Sequence, residues 1–303
     1  MKKLLSLIVI IILGSIVSGC DQTSESSNKE AYQPKTLYVE FVPSQNSQTL
    51  EAKIKPLQKL LSKELGIPVK VHISTNYNTM VEALKSKKID VAFISPVSYV
   101  IAHDQGAAEV LLKSKGYLVD NQGNKTNQLV DYYRSQIVVK KNSKIKNLKD
   151  LKGKTIGLQD VESTSGYIYP LASMEKIGIT KNDLNIQQLK GHDQALISLL
   201  NNDIDAAATY QDARTDLKKD YPKIYKDTKV IYRSDKIPND TISVRSDMSQ
   251  SWKTKISDAF LDISKTKKGN KVISDIYGHE GYVKAKDEEF EKVRNYIRKV
   301  RNN

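Results

Sequence analysis

Two stretches of the chain follow one pattern. EALKSKKIDVAFI at residues 82–94 and SLLNNDIDAAATY at 198–210 each carry a helix end, a polar corner, an Ile-Asp pair and a short run of small or apolar residues. The pairs Ile89-Asp90 and Ile204-Asp205 occupy equivalent points of two successive series in which strand-like and helix-like segments alternate. Such alternation predicts βα units built around a mainly parallel sheet. Its recurrence predicts two α/β lobes of similar architecture facing each other.

The first series runs TLYVEFVP (strand), NSQTLEAKIKPLQKLLSKELG (helix stopped at Gly66), PVKVHIST (strand), NYNTMVEALKSKK (helix), IDVAFIS (buried strand) and PVSYVIAHDQG (helix). Ser95 is the N-cap candidate of that last helix, with Pro96 at its first position. The second series runs YRSQIVVKKNS, NLKDLKG, KTIGLQD, STSGYIYPLASMEKIG, LNIQQLK, GHDQALISLLNND and IDAAATY. After it, VIYRSDKIPNDTISVRSDM reads as extended chain, and SQSWKTKISDAFLDISKT and DEEFEKVRNYIRKV read as amphipathic helices. A return crossing near Ile237–Ser243 would pack these helices on the first lobe, which then comprises 36–131 and 242–303. The second lobe is 132–241, and the first crossing lies near Tyr133–Val138.

The N-terminus sets the compartment. Lys2 and Lys3 precede the apolar run LLSLIVIIILGSIV, which closes in VSGC at Cys20. This reads as a signal peptide over 1–19, too short for a full bilayer span. Cys20 is the only cysteine among 303 residues, so the fold has no disulfide. Its position resembles the lipobox of bacterial lipoproteins, which implies lipidation of Cys20 and anchoring on the extracytoplasmic face of the cell membrane. Residues 20–35, polar and aperiodic, read as a flexible tether.

The formal charge of +13 raises a nucleic-acid role. The lysines are interspersed with acids, as in KNLKDLKGK, and no aromatic-interleaved basic stripe, RNP-like motif or zinc spacing occurs. That pattern is a solvated surface. Enzymatic signatures are equally missing: no G-x-S-x-G and no His-Glu-x-x-His, and the Ser-x-x-Lys spacings, as at Ser143–Lys146, stand without any companion motif. The four histidines, His72, His103, His192 and His279, are far apart, so neither a metal nor a cofactor is expected.

A chemical site is nevertheless legible at STSGY, residues 163–167, between a strand and a helix. A helix N-terminus presents unpaired N–H groups and the positive end of the dipole, a ready anion site. Ser163, Thr164 and Ser165 add hydroxyl donors, and Gly166 permits close backbone approach. The plain alternative is an ordinary N-cap. His192 begins another helix and offers an imidazole donor, while Asp193 reads as a cap.

The lipobox, IDVAFISPVSYV, YYRSQIVVKKNS, STSGY, GHD and IDAAA occur in the order found in one known family. The chain resembles the substrate-binding proteins of phosphate, phosphite and phosphonate ABC importers, over nearly all of its mature length. The resemblance implies a two-lobed periplasmic-binding-protein fold of type II, whose lobes are joined by two hinge strands and whose cleft closes on a small anion. It places ligand-contacting tyrosines at Tyr77 and Tyr133, with Tyr132 competing for the second. Ser95 and Ser98 could add donors from the first lobe. At the end of IDAAATYQDAR, Tyr210 and Asp212 compete for a polar cleft position. The expected partners are the small anionic ligand, a membrane permease and the membrane itself through the lipid, with the protein a monomer that neither binds nucleic acid nor catalyses a reaction. A sensory or adhesive module of the same fold, a binder of another small ligand, and a serine hydrolase are the alternatives.

Overall fold

The computed structural model describes residues 31–120 and 122–301. The expected signal peptide and Cys20 lie outside the described residues. From Tyr32 onward the chain forms one unit. In chain order its first elements are β1 (Leu37–Phe41), α1 (Ser47–Leu65), β2 (Val69–Ile73), α2 (Tyr77–Lys85), β3 (Val91–Ile94), α3 (Pro96–Asp104), β4 (Ala108–Val119), β5 (Lys125–Val130), β6 (Tyr132–Tyr133) and β7 (Ser135–Lys140). Then follow β8 (Thr155–Leu158), α4 (Tyr169–Glu175), β9 (Asn185–Gln188), α5 (His192–Asn201), β10 (Ala206–Tyr210), α6 (Ile224–Asp227), β11 (Thr228–Arg233), β12 (Ile237–Pro238) and β13 (Thr241–Arg245). The chain ends with α7 (Gln250–Lys265), α8 (Lys267–Tyr277), β14 (Gly281–Lys284) and α9 (Glu291–Arg301).

Local chemistry sets the boundaries. Asn46 caps α1 by accepting from the N–H groups of Gln48 and Thr49, and Gly66, at φ 69°, closes it in the left-handed conformation that glycine adopts without strain. Asn76 caps α2 through the Thr79 N–H, and Ser95 caps α3 through the Ser98 N–H. In β1, Leu37, Val39 and Phe41 are buried and the intervening residues are not, whereas all four residues of β3 are buried.

Two sheets result. The larger has strand order β14-β4-β13-β3-β1-β2, with β5 paired to the outer part of β4. Its β1, β2 and β3 are parallel; β13 and β14 return antiparallel. The smaller has order β11-β7-β10-β8-β9, with β8, β9 and β10 parallel. Between them the chain crosses twice, at β6 and β12, which pair antiparallel as Tyr132↔Pro238 and Tyr133↔Ile237. This is the two-lobed α/β arrangement read from the alternation.

The repeated Ile-Asp pair has the same structural job in both lobes. Asp90 Oδ2 accepts from Tyr38 N–H at 2.8 Å, and Asp90 N–H donates to the Tyr38 carbonyl at 2.9 Å. Asp205 Oδ2 accepts from Thr155 N–H at 2.9 Å, and its own N–H returns to the Thr155 carbonyl at 2.9 Å. Each aspartate thus ties the start of one parallel strand to its neighbour, while each isoleucine fills the core below.

Two expectations change. The end of the predicted tether is docked: Tyr32 bridges Met248 and its ring lies 3.7 Å from the Arg245 guanidinium. That cation–π contact, with backbone bonds to Asp247 and Ser249, holds the segment on the larger lobe. α9 does not pack on the first lobe alone. Its Tyr296 stacks on Tyr169 of α4 at 4.1 Å, and its Arg294 bonds Asp104 at the end of α3 at 3.0 Å. One helix therefore touches both lobes, and the apolar core is continuous across them through Tyr99, Ile168, Tyr169 and Phe290.

Candidate functional site

A cavity of about 210 Å³ lies between the lobes. One wall is the turn that follows β8. There Ser163 acts as N-cap, its Oγ accepting from Gly166 N–H at 3.2 Å, and its carbonyl accepts from both Tyr167 and Ile168 N–H groups at 3.1 Å. The wide turn Thr164–Ile168 is a single π-helical turn ahead of α4, a form enriched at functional sites. The N–H groups of Thr164 and Ser165 make no hydrogen bond among the described residues, as the geometry of a helix start requires. All three hydroxylated residues are buried and line the cavity. Cap and site are the same residues here, not alternatives.

The opposing wall is the start of α3. Thr164 Oγ1 accepts from Val97 N–H at 2.9 Å and Ser95 Oγ donates to the Glu162 carbonyl at 3.3 Å. Two helix starts from different lobes therefore meet edge to edge. Across the cleft, His192 N–H also donates to the Ser44 carbonyl at 3.3 Å, and Gln45 Nε2 donates to Asp216 Oδ2 at 3.2 Å. The lobes are closed on the cavity.

Tyr77, Ser95, Tyr133, Ser163, Thr164, Ser165, His192, Tyr210 and Asp212 all line the cavity. The choices left open at two positions resolve without exclusion, because Tyr132 and Tyr133 both face it, as do Tyr210 and Asp212. Ser98 is corrected: it is not among the cavity-lining residues, its side chain is fully buried, and its hydroxyl lies 3.1 Å from Ser95 Oγ, within hydrogen-bonding distance. It belongs to the lobe-to-lobe contact. Gly166 is also reinterpreted. A Cβ there would stand 1.7 Å from Gln159 Oε1 and 2.8 Å from Ser163 Oγ, so the glycine seats the turn against the end of β8. Gly166→Ala is expected to cost about 1–3 kcal/mol of overpacking and to weaken ligand binding, read by thermal melting and titration of the same sample. An unchanged melting temperature would contradict this packing role.

Electrostatics in the cavity are set by burial. His192 Nδ1 pairs with Thr209 Oγ1 at 3.0 Å, its Nε2 makes no protein hydrogen bond among the described residues, and burial lowers its pKa to about 3. The imidazole is neutral at any working pH. Tyr77, Tyr133 and Tyr277 are pushed well up, by burial first; the nearby Asp240 carboxylate comes next for Tyr77 and Tyr133, and follows Tyr77 for Tyr277, so all three phenols keep their protons. Asp240 itself is pushed up to about 7 by burial alone and forms no ion pair among the described residues. Asp212 is likewise pushed up to about 7, mainly by burial, against the pull of Arg233 and Arg214; its Oδ1 has no partner among the described residues. Among the described residues Lys125 is the one lysine lining the cavity, paired with Glu280 at 2.6 Å, and no arginine lines it.

Sequence reasoning missed Asp240, Tyr277, Asp216 and the β4–β5 hairpin. Asp240 sits in IPNDTIS, just past the second crossing. Its position beside a crossing strand was the available signal, since no cap or motif marks it. The hairpin residues carry no motif at all.

With this geometry in place, comparison with known proteins is decisive. The family model described as the periplasmic substrate-binding protein of a phosphonate ABC transporter matches residues 39–290. The chain belongs to this family. Among relatives, the phosphonates-binding periplasmic protein of Escherichia coli is 28% identical over 239 residues, 77% of this chain and 68% of that one. The phosphate-import protein of Mycolicibacterium smegmatis is 29% identical over 209 residues, 66% of this chain and 62% of that one. The fold is shared with a binding component of a phosphonate ABC transporter from Pseudomonas aeruginosa, at TM-score 0.74 and 22% identity over 87% of this chain and 86% of that one. It is shared also with PhnD1 of Prochlorococcus marinus, solved in complex with methylphosphonate, at TM-score 0.76 and 20% identity over 89% of this chain and all of that one. The matching family is thus one of extracytoplasmic binding components of ABC importers.

Proposed function

We propose that this member of the phosphonate-binding family captures a small phosphorus oxyanion in the cavity between its lobes and presents it to an ABC permease. The observation that carries the reading is the turn Ser163–Gly166: two amides and three hydroxyl groups line the inter-lobe cavity, and among the described residues the amides are unpartnered and no unpaired lysine or arginine lines that space. Neutral donors suit a receptor that must release its ligand, because they hold the oxyanion without the bidentate ion pair an arginine would add. The Tyr77 and Tyr133 phenols and His192 Nε2 add donors around the same point. Asp240, poised near neutrality and facing the same space, accepts the last proton of a hydrogen-phosphonate or hydrogen-phosphate.

A hydrolase reading is disfavoured by the same geometry, because the His192 imidazole is bonded to Thr209 rather than to a serine of the turn. A thermal-shift panel tests the function. Phosphate, phosphite, methylphosphonate and 2-aminoethylphosphonate should include at least one ligand that stabilises the protein by about 2.7 kcal/mol at a hundredfold excess over its Kd. Sulfate should not. Stabilisation by none of the phosphorus compounds would remove the reading.

Anchoring through Cys20 and a monomeric state complete the proposal. Cys20→Ser is expected to move the protein from the membrane fraction into the soluble extract with ligand affinity unchanged. Retention of that variant in the membrane fraction would end the lipoprotein assignment.

A further inference from the structure

The β4–β5 hairpin has no role in the account so far. The first part of β4, through Lys115, lies inside the larger sheet between β13 and β14. Beyond it, residues 116–120 and 122–130 belong to a two-stranded arm, paired as Gly116↔Val130, Tyr117↔Leu129 and Val119↔Lys125. Gly116, Tyr117, Leu118, Val119 and Val130 from this arm line the ligand cavity. Its only charged lining side chain, Lys125, is already paired with Glu280. The arm therefore contributes a hydrocarbon wall. Leu118, Val119 and Val130 remain half-buried, and Tyr117 and Leu129 are 40% and 39% exposed.

The tip of the arm reaches the other lobe. Asp120 Oδ1 accepts from Gln122 and Asn124 N–H groups at 2.8 Å, which tightens the turn. Gly123 follows at φ +81°, and a Cβ on it would lie 2.1 Å from the Tyr225 ring carbon Cζ. Tyr225 belongs to α6 of the smaller lobe. Only a glycine lets the tip rest on that ring, so the arm spans the cleft and forms one wall of the cavity with its apolar side.

Size supports a ligand that reaches this wall. A cavity of about 150 Å³ lined by apolar side chains already admits benzene, and this one measures about 210 Å³. A bare phosphite or phosphate ion held at Ser163–Ser165 would leave the space under the arm unfilled and its apolar side chains in contact with water.

We propose that the arm is a specificity wall and that the ligand class is organophosphonates or phosphate monoesters with an uncharged hydrocarbon substituent, which packs on Leu118, Val119 and Val130 while the oxyanion sits at the Ser163 turn. This inference rests on the oxyanion reading of that turn. The competing substituent is a cationic one, because Asp240 and Asp212 also line the cavity.

The test is a calorimetric series on the intact mature protein with phosphite, methyl-, ethyl- and propylphosphonate, and with 2-aminoethylphosphonate as the charged near-isostere of the propyl compound. Affinity should rise about fourfold per methylene from methyl to propyl, the equivalent of about 0.8 kcal/mol for each buried CH₂. Propylphosphonate should exceed 2-aminoethylphosphonate. In Leu118→Asn/Val130→Thr, and separately in Gly123→Val, which lifts the tip from Tyr225, the rise with chain length should flatten; melting temperatures of the variants confirm that they are folded. Phosphite binding as tightly as propylphosphonate would overturn the wall while leaving the oxyanion site intact. A preference for 2-aminoethylphosphonate would overturn it in favour of the carboxylates. Binding by none of the series would overturn the oxyanion reading itself.

Discussion

Changing Ser163 and Thr164 together to alanine should lower affinity for a phosphorus oxyanion by about 3–6 kcal/mol, roughly a hundredfold to ten-thousandfold. The estimate follows from two hydroxyl donors, each contributing about 1.5–3 kcal/mol when bonded to a charged group. The same change also has a structural cost. Ser163 Oγ caps the turn through Gly166 N–H, and loss of an N-cap hydroxyl costs about 0.5–2 kcal/mol. Thr164 Oγ1 is the acceptor for Val97 N–H of the other lobe, so its removal strips a partner from a buried donor. Domains of this kind have about 5–15 kcal/mol in reserve, so the variant remains folded and its affinity can be measured directly. Thr164→Ser, which keeps the hydroxyl, should recover most of the binding lost in Thr164→Ala. A variant that melts lower but binds as before would assign these side chains to capping alone.

The second large effect is on pH dependence. Burial raises the Asp240 pKa from 3.8 to about 7. In the folded protein the proton is held more tightly than in the unfolded chain, so the contribution of Asp240 to stability is full below about pH 4 and is lost as pH rises to about 7. Asp240→Asn removes this share of the slope, leaving that of Asp212, which burial also pushes up to about 7, and should make the protein more stable than its parent at pH 8. Binding follows the same proton. If the complex shares one proton between Asp240 and a phosphorus oxygen, that proton must be taken up from solution once both partners have lost theirs. Affinity then falls about tenfold for each pH unit above roughly 7 to 8. Calorimetry between pH 6 and 9 should give this slope in the parent and none in Asp240→Asn. Equal slopes in the two proteins would place the titrating group elsewhere.

The parts of this molecule that were legible in sequence are those fixed by local chemistry. Strand and helix alternation, the Ser95 cap and the Gly66 stop all act within a few residues, and the Ile-Asp recurrence marks the same strand-tying contact in both lobes. The Ser163 turn was readable because an anion site at a helix start is itself local. What escaped depends on residues distant in sequence. Ser98 has the right residue type beside the right helix start, yet its partner Ser95 turns it inward. Asp240 acquires its raised pKa from burial in a cavity wall it shares with Tyr77, Tyr133 and Tyr277, which no spacing connects to it. The amphipathic pattern of α9 reveals an apolar face but not that the face is shared between α3 and α4. The arm at 116–130 reads as an ordinary hairpin until Tyr225 is seen beneath its tip.

The central claim concerns two particular amides, and nitrogen-15 NMR addresses them individually. Methylphosphonate added to the labelled protein should produce saturable, one-to-one downfield proton shifts at the Thr164 and Ser165 N–H groups, as each gains a charged acceptor, with little change at Gly166, whose N–H is already bonded to Ser163. Saturable binding that leaves the Thr164 and Ser165 signals unmoved would contradict the account.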